Sequence, residues 1–300
     1  GMKFPTLFID EAAQALEAAC WIPIRRAGRV ILAGEHCPLP PTVKSYAALK
    51  AGLGKTLMER IVETKPDVVT LLRVQYRMNE DIMRFSSDWF YGGQVEAAPE
   101  VRHRSILDLD TPMQWVAPET ITATGTTTAT ETTTATESPE TATATQQSLT
   151  AMAESHEERH NLSLFNAAEA RQTIQTLEDY FTRIGKQRII DERLDVCIIT
   201  PYRAQVDLLR RLIRKREYFK PFRSLITVNT VDGFQGQERD IIVISMVRAN
   251  DDGQIGFLRD LRRMNVAITR ARMKLIIVAD PDTMTHHPFY RKLYAYINSL

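Results

Sequence analysis

Thr230-Val231-Asp232-Gly233-Phe234-Gln235-Gly236-Gln237-Glu238 is the stretch around which the chain is organised. Leu225-Ile226-Thr227-Val228 precedes it and Ile241-Ile242-Val243-Ile244 follows it. Both flanks are short and rich in β-branched residues, so they read as buried strands. The segment between them carries two glycines, two glutamines and two carboxylates, and little that is apolar. A connection of that kind at strand ends is where an open α/β sheet places ligands. An ordinary polar connection looks the same, so the remainder of the chain must decide between the two.

Three hundred residues, of which 44% are hydrophobic and 25% charged, give a soluble globular chain of one to three domains with ample core. No apolar run is long enough to span a membrane, and no basic-then-apolar segment opens the chain. Cys20, Cys37 and Cys197 are scattered and odd in number, which speaks against a disulfide framework and for a cytoplasmic protein.

Toward the amino terminus, Thr6-Leu7-Phe8-Ile9 reads as a strand ending in Asp10-Glu11, with a helix to follow that carries Ala12, Leu16, Ala19 and Cys20 on one face. Two acids at the carboxyl end of a buried strand suit magnesium binding and polarisation of a water. Equally, Asp10 suits a helix cap and Glu11 its first turn. Arg29 to Ala33 is the next strand, running into the stiff turn Gly34-Glu35-His36-Cys37-Pro38-Leu39-Pro40-Pro41. Gly52-Leu53-Gly54-Lys55-Thr56 imitates the end of a phosphate loop. Position 49 is leucine where the first glycine belongs, and a helical pattern precedes it, so it reads as a turn between helices.

Val68 to Leu72 reads as a strand, Gln75-Tyr76-Arg77-Met78 follows, and a helix runs from Asn79 to about Phe90. From Val116 to Glu158 threonine, alanine and glutamate dominate and neither lysine nor arginine occurs, so this reads as a flexible acidic insertion or an exposed hairpin. His156-Glu157-Glu158-Arg159-His160 satisfies HExxH, but its polar flanks and missing third ligand argue against zinc hydrolysis. Ser163 is placed as the cap of a helix reaching about Ile184, and Asp195 to Thr200 is a strand. Pro201-Tyr202-Arg203-Ala204-Gln205 opens a helix whose length and tail carry Arg210, Arg211, Arg214, Lys215, Arg216, Lys220 and Arg223. That run suits phosphate backbones, and it also suits a solvated helix face. Arg262 to Arg272 reads as helical, Leu275 to Ala279 as a strand, and Phe289 to Ile297 as a closing helix. Strands alternating with helices imply a mostly parallel sheet covered on both faces.

Six stretches in this order resemble superfamily 1 helicases, in the subgroup of the RNA-surveillance and replication-intermediate-processing enzymes. They are Asp10-Glu11-Ala12, Gly34 to Pro41, Gln75 to Met78, Thr200 to Gln205, Val231 to Glu238, and Asn265 to Arg272. The resemblance implies a RecA-like P-loop NTPase architecture, with residues 1–74 forming the last part of a first lobe. Residues 75–300 would form the second lobe, interrupted by the Thr-rich insertion at about 116–160. It implies ATP and magnesium between the lobes, single-stranded DNA or RNA across both, and a monomer. Asp10 would hold magnesium, Glu11 would activate water, and Arg77 and Arg270 would reach the γ-phosphate. The resemblance sets Asp10, Gly34, Glu35, Gln75, Gly236 and Glu238 against the nucleotide. It sets Pro40, Thr200, Tyr202, Arg203, Thr230, Asp232 and Gln235 against the nucleic acid.

The departures are as informative. Nine residues precede Asp10, so the family's phosphate loop, which lies upstream of that strand, is not among these residues. Glu35 stands where the family has Asp, and Pro38 where it has the glutamine that senses the γ-phosphate. The expectation is therefore the carboxyl-terminal core of an ATP-dependent helicase or translocase, inactive as this chain alone. The rival is a non-catalytic remnant that binds single strands or a protein partner, using basic residues and aromatics such as Tyr202 and Phe234.

Overall fold

The computed structural model describes residues 2–35, 45–118, 157–160, 163–234 and 236–300. Its strands are β1 (Phe4–Ile9), β2 (Ala27–Leu32), β3 (Val74–Gln75), β4 (Glu96–Ala97), β5 (Met113–Val116) and β6 (Glu158–His160). β7 (Ser163–Phe165), β8 (Val196–Thr200), β9 (Ile226–Thr230), β10 (Arg239–Ser245) and β11 (Ala271–Val278) complete the set. Five of them make one sheet in the order β5-β11-β10-β8-β9, every neighbouring pair parallel.

That sheet is where the β-branched runs lead. A parallel strand covered on both faces is apolar at every position, and successive side chains point to opposite faces. Ile242 and Ile244 of β10 therefore join Leu275 and Ile277 of β11 on one face. There they meet the helices Glu80–Phe90, Leu261–Ile268 and Pro288–Ile297. Ile241, Val243, Ile276 and Val278 point the other way, into a core shared with the helices Ala167–Ile184 and Arg203–Lys215. Lys274 is the exception in β11. Its buried ammonium is held 3.0 Å from Asp110 and 2.7 Å from the Thr111 carbonyl.

Residues before β3 form a separate piece, in which β1 and β2 pair in parallel. The helix expected after Asp10-Glu11 begins later, at Glu17, and runs to Ile24. Residues 10–14 are turned back instead: Glu11 has φ 53°, and the Ala12 amide donates to the Ala33 carbonyl. Asp10 therefore caps no helix. Gly52–Thr56 is a turn between the helices Tyr46–Lys50 and Leu57–Thr64, closed by a reciprocal cap between Thr56 and Glu59. It makes no phosphate cradle.

Three expected boundaries shift. Val68 to Leu72 forms no strand. Pro66 opens a single tight turn, the chain beyond it finds no neighbour to pair with among the described residues, and Leu72 stays 82% exposed. Ser163 does not cap the long helix, because 163–165 pairs with β6. Asn166 caps it by accepting from the Glu169 amide, while the Ser163 hydroxyl accepts from the Ala204 amide. The helix at Arg262 ends at Ile268, so Thr269 and Arg270 form a turn and Arg272 lies on β11. The segment 119–156, and with it His156 of the HExxH pattern, lies outside the described residues, as do Pro38, Pro40 and Gln235.

Glu169 is fully buried beside the carboxyl end of β10, where its Oε1 accepts from the Ser245 hydroxyl at 2.6 Å and the Val247 amide at 2.7 Å. Its Oε2 is buried without a hydrogen-bond partner. Burial pushes this carboxyl up from 4.5 to about 8, against those two hydrogen bonds. The folded state therefore holds a proton that the unfolded chain releases above 4.5. Glu169 favours folding fully below that value, and this contribution is lost as pH rises toward about 8. Chemical denaturation at about pH 6 and about pH 8 should reveal a loss on the order of 1.4 kcal/mol per pH unit. Glu169→Gln, which keeps both accepted hydrogen bonds, should flatten that slope. An unchanged slope in the variant would exclude Glu169 as its source.

Candidate functional site

Gln75 folds its side chain onto its own turn. Its Oε1 accepts from the amides of Arg77 and Met78 at 2.8 and 2.7 Å, and its Nε2 donates to the Met78 carbonyl at 2.8 Å. The turn so fixed presents Arg77, whose Nη1 donates to the Thr269 carbonyl at 2.9 Å and whose Nε donates to Glu238. Glu238 is shared, since the Arg272 Nε donates to its other oxygen at 2.8 Å. Burial alone would raise the Glu238 carboxyl, but the hydrogen bonds from Arg272 and Arg77 hold it below its ordinary value. Arg272 reaches on to Asp240 at 3.1 Å, and Asp240 and Asp195 each accept from the other's amide.

Arg270 is the most enclosed of these arginines, at 6% exposure. Its Nε donates to the Val266 carbonyl at 3.1 Å and its Nη1 to the Gln237 carbonyl at 3.4 Å. Its Nη2 lies 3.5 Å from Glu35 Oε1. Burial lowers its pKa, the charge of Arg77 adds to this, and Glu35, Glu11 and Glu238 oppose it. The cation is thus enclosed with incomplete compensation, a setting that an added anion relieves.

Asp10 and Glu11 follow β1 and Gly34 and Glu35 follow β2, so all four lie at the carboxyl ends of the first pair of strands. The left-handed backbone at Glu11, unusual for a residue with a Cβ, aims this turn, and Gln14 Nε2 donates to Glu11 Oε2 at 2.7 Å. A Cβ at Gly34 would lie 3.2 Å from the Ala13 amide nitrogen, so the close approach of the two turns favours glycine there. These carboxyl ends meet the amino ends of β10 and β11 through Glu35 and Arg270, with Glu59 and Arg262 at 3.6 Å as a second contact.

Thr200 and Thr230 are register partners at the carboxyl ends of β8 and β9, at the opposite end of the sheet from the arginines. Thr230 Oγ1 accepts from the Gly233 amide, Asp232 pairs with Arg263 at 3.3 Å, and Arg203 pairs with Asp207 at 3.7 Å. The segment 231–238 runs from this end back to the start of β10, along the roughly 20 Å length of that strand. Phe234 is buried under it, and Gly236 takes a left-handed φ of 73°. Ligands were expected at strand carboxyl ends. In the five-stranded sheet the arginine cluster sits at the amino ends instead, because Glu238 and Arg270 immediately precede β10 and β11. Tyr202 and Phe234 are both buried, so neither is free to stack on a base. Phe257, packed 5.8 Å from Tyr202 and 64% exposed, offers the open ring instead.

Sequence reasoning assigned no role to Arg272, Asp240, Gln14 or Phe257. The only local signal for the first is its place two residues after Arg270, at the start of the apolar run that becomes β11. Among the described residues no group of three or more His, Cys, Asp or Glu could hold a metal ion.

Two family profiles, both described as AAA domain, match residues 53–282 and 1–46. The chain belongs to this family, within the superfamily 1 helicases of the RNA- and DNA-processing group. It is 36% identical to the DNA-binding protein SMUBP-2 of Rattus norvegicus, over 98% of this chain and 26% of that protein. It is 34% identical to an uncharacterised ATP-dependent helicase of Methanocaldococcus jannaschii, over 100% of this chain and 39% of the relative. It is 33% identical to the DNA polymerase alpha-associated DNA helicase A of Saccharomyces cerevisiae, over 94% and 39%. The chain thus spans between a quarter and two fifths of the length of these relatives.

Glu238→Gln tests the shared carboxylate. The side chains of Arg77, Arg272 and Glu238 are about a third exposed, so solvent screens the pairing. The cost in stability at neutral pH should be about 1 kcal/mol. A lowered pKa means that the wild-type advantage is present above 4.5 and lost as pH falls below it. The two proteins should therefore converge in acid. A cost that persists there would assign it to packing.

Proposed function

We propose that residues 1–300 are the carboxyl-terminal core of an ATP-dependent helicase or translocase that couples ATP hydrolysis to movement on single-stranded DNA or RNA. The observation that carries this reading is the meeting of Arg270, beside Arg77 at the amino ends of one parallel sheet, with Glu35 at the carboxyl ends of another, where Glu11 also lies within electrostatic reach of Arg270. A triphosphate between them answers the uncompensated charge on Arg270. Residues 1–74 then belong to the first lobe and 75–300 to the second. Phe8 and Ile22, 69% and 72% exposed, support a first lobe with further chain covering it.

Asp10 is exposed, and its Oδ1 accepts from the Glu11 amide. One exposed carboxylate fits magnesium, which takes its other ligands from phosphate oxygens and water. Bound there, the metal would neutralise charge on the β- and γ-phosphates. Glu11, fixed by Gln14, would orient and deprotonate the attacking water. Arg77 and Arg270 would offset charge developing on the transferred phosphoryl group. Glu238 would release part of its hold on Arg77 and contact the nucleotide sugar. Thr230, Asp232 and Arg203 would line the strand-end edge for the nucleic-acid backbone, and 231–238 would carry the nucleotide state to that edge; Thr200, expected there too, is fully buried beneath it and makes no such contact. The buried, unpaired thiols of Cys20 and Cys197 accord with a cytoplasmic monomer.

ATP hydrolysis would be measured with and without single-stranded DNA or RNA, on residues 1–300 and on a longer natural chain containing them. The shorter chain should be inactive, since the turn at Gly52–Thr56 cradles no phosphate. The longer chain should be active, and Arg270→Ala should lower its kcat by roughly a thousandfold or more. If neither chain hydrolyses ATP while both bind single strands, the protein is a binding module.

A further inference from the structure

β9 is an edge of the five-stranded sheet, and its outer side carries no strand among the described residues. Between that edge and the helix Arg203–Lys215 runs a groove of about 370 Å³. Arg210, Arg214 and Arg223 rim it, and Ile213, Ile226 and Val228 contribute apolar surface to its lining. Neighbouring cations are paired: Arg203 with Asp207, Arg216 with Glu178, Lys220 with Glu217. Arg210, Arg214 and Arg223 have no carboxylate within 4.0 Å among the described residues. Arg210 instead donates to the Val228 carbonyl at 2.7 Å, and Arg223 to the Arg214 carbonyl at 2.5 Å.

Three features of the groove select its occupant. The unneutralised guanidinium groups call for anions, and Arg presents a fork that fits carboxylates in pairs. The apolar lining calls for side chains with some hydrocarbon. The open backbone of β9 calls for another strand, since an edge presents a row of unpaired amides and carbonyls. A single-stranded nucleic acid satisfies the first condition alone, for no aromatic ring lines the groove to stack a base. We propose that the β9 groove is a docking site for an extended acidic peptide segment of a partner protein, which adds to β9 as a sixth strand with its carboxylates on Arg210, Arg214 and Arg223. Arg210 guards the edge meanwhile by occupying the Val228 carbonyl. An incoming strand exchanges that hydrogen bond for its own amide and moves the guanidinium onto a carboxylate. The site lies apart from the arginine cluster, adjoins the strand-end edge only at Asn229, and stands whether or not the chain hydrolyses ATP.

The test uses the full 300-residue chain and fluorescein-labelled (Glu-Val)5, followed by anisotropy. Arg214→Glu combined with Arg223→Glu should weaken binding at least tenfold, and the milder Arg214→Ala should act in the same direction. Arg211→Glu, on the same helix but outside the groove, makes the same charge change as Arg214→Glu alone; the latter should weaken binding severalfold, the former should leave it within about twofold. The same peptide N-methylated at every backbone nitrogen has equal charge but no amide N–H to donate to the edge, and it should bind at least tenfold more weakly. Single-stranded oligo(dT) at saturation should not displace the peptide. Thermal melting verifies that each variant folds. Equal binding of the two peptides, or an Arg211→Glu effect as large as the groove variants', would overturn the proposal. Displacement by oligo(dT) that is lost in the groove variants would assign the groove to nucleic acid.

Discussion

A single enclosed guanidinium governs how the two pieces of this chain relate. Arg270 leaves its helix at the turn before β11, and its Nη2 points at Glu35 across the junction. Removing a cation from water is costly unless hydrogen bonds and an opposing charge replace the solvent. Two carbonyls and one partly exposed carboxylate do this incompletely, which is why burial still lowers the Arg270 pKa. The arrangement is intelligible as readiness for an anion, which is the ground on which a triphosphate is proposed there.

The same cluster gives a route for coupling. Glu238 ends the segment 231–238 and is held by two arginines, while the other end of the segment starts from Thr230 beside Thr200. Phe234 anchors the middle of that segment in the core, and Arg239 lies over its ring. In the proposed function, a change in the grip on Glu238 would act on the segment that ends there, whose far end is the proposed nucleic-acid edge. Gly236 in this segment takes a left-handed φ of 73°, which glycine adopts without strain.

Much of the fold was legible because its strands are covered on both faces. Ile241 to Ile244 and Leu275 to Val278 are apolar at every position, and no helix of that composition would be so short. Val68 to Leu72 carries the same local signal and fails, since a strand exists only where a neighbour receives its hydrogen bonds. The cap at Asn166 was misread as Ser163 because both residues suit a cap, and the pairing of β6 with β7, a non-local fact, decides between them. Arg77, Glu238 and Arg270 stand far apart in the chain, and no local rule brings them together. Their neighbourhood rests on non-local contacts, Arg77 with Glu238 and with the carbonyl of Thr269. The burial of Tyr202 and Phe234 and the self-contained hydrogen bonding of Gln75 depend on tertiary packing, which periodicity does not encode.

The central claim is that Arg270 and Arg77 act on charge that develops at the phosphoryl group, so the most direct measurement compares two ligands of the longer natural chain. Affinities for ADP and for ADP with aluminium fluoride, a stand-in for the transferring phosphoryl group, would be measured by calorimetry in the wild type, Arg270→Ala and Arg77→Ala. The account predicts that ADP affinity changes little while the wild type's preference for the aluminium fluoride complex falls by about a hundredfold or more in each variant. If both ligands weaken equally, or if neither changes, the arginines hold the two sheets together and take no part in the chemistry.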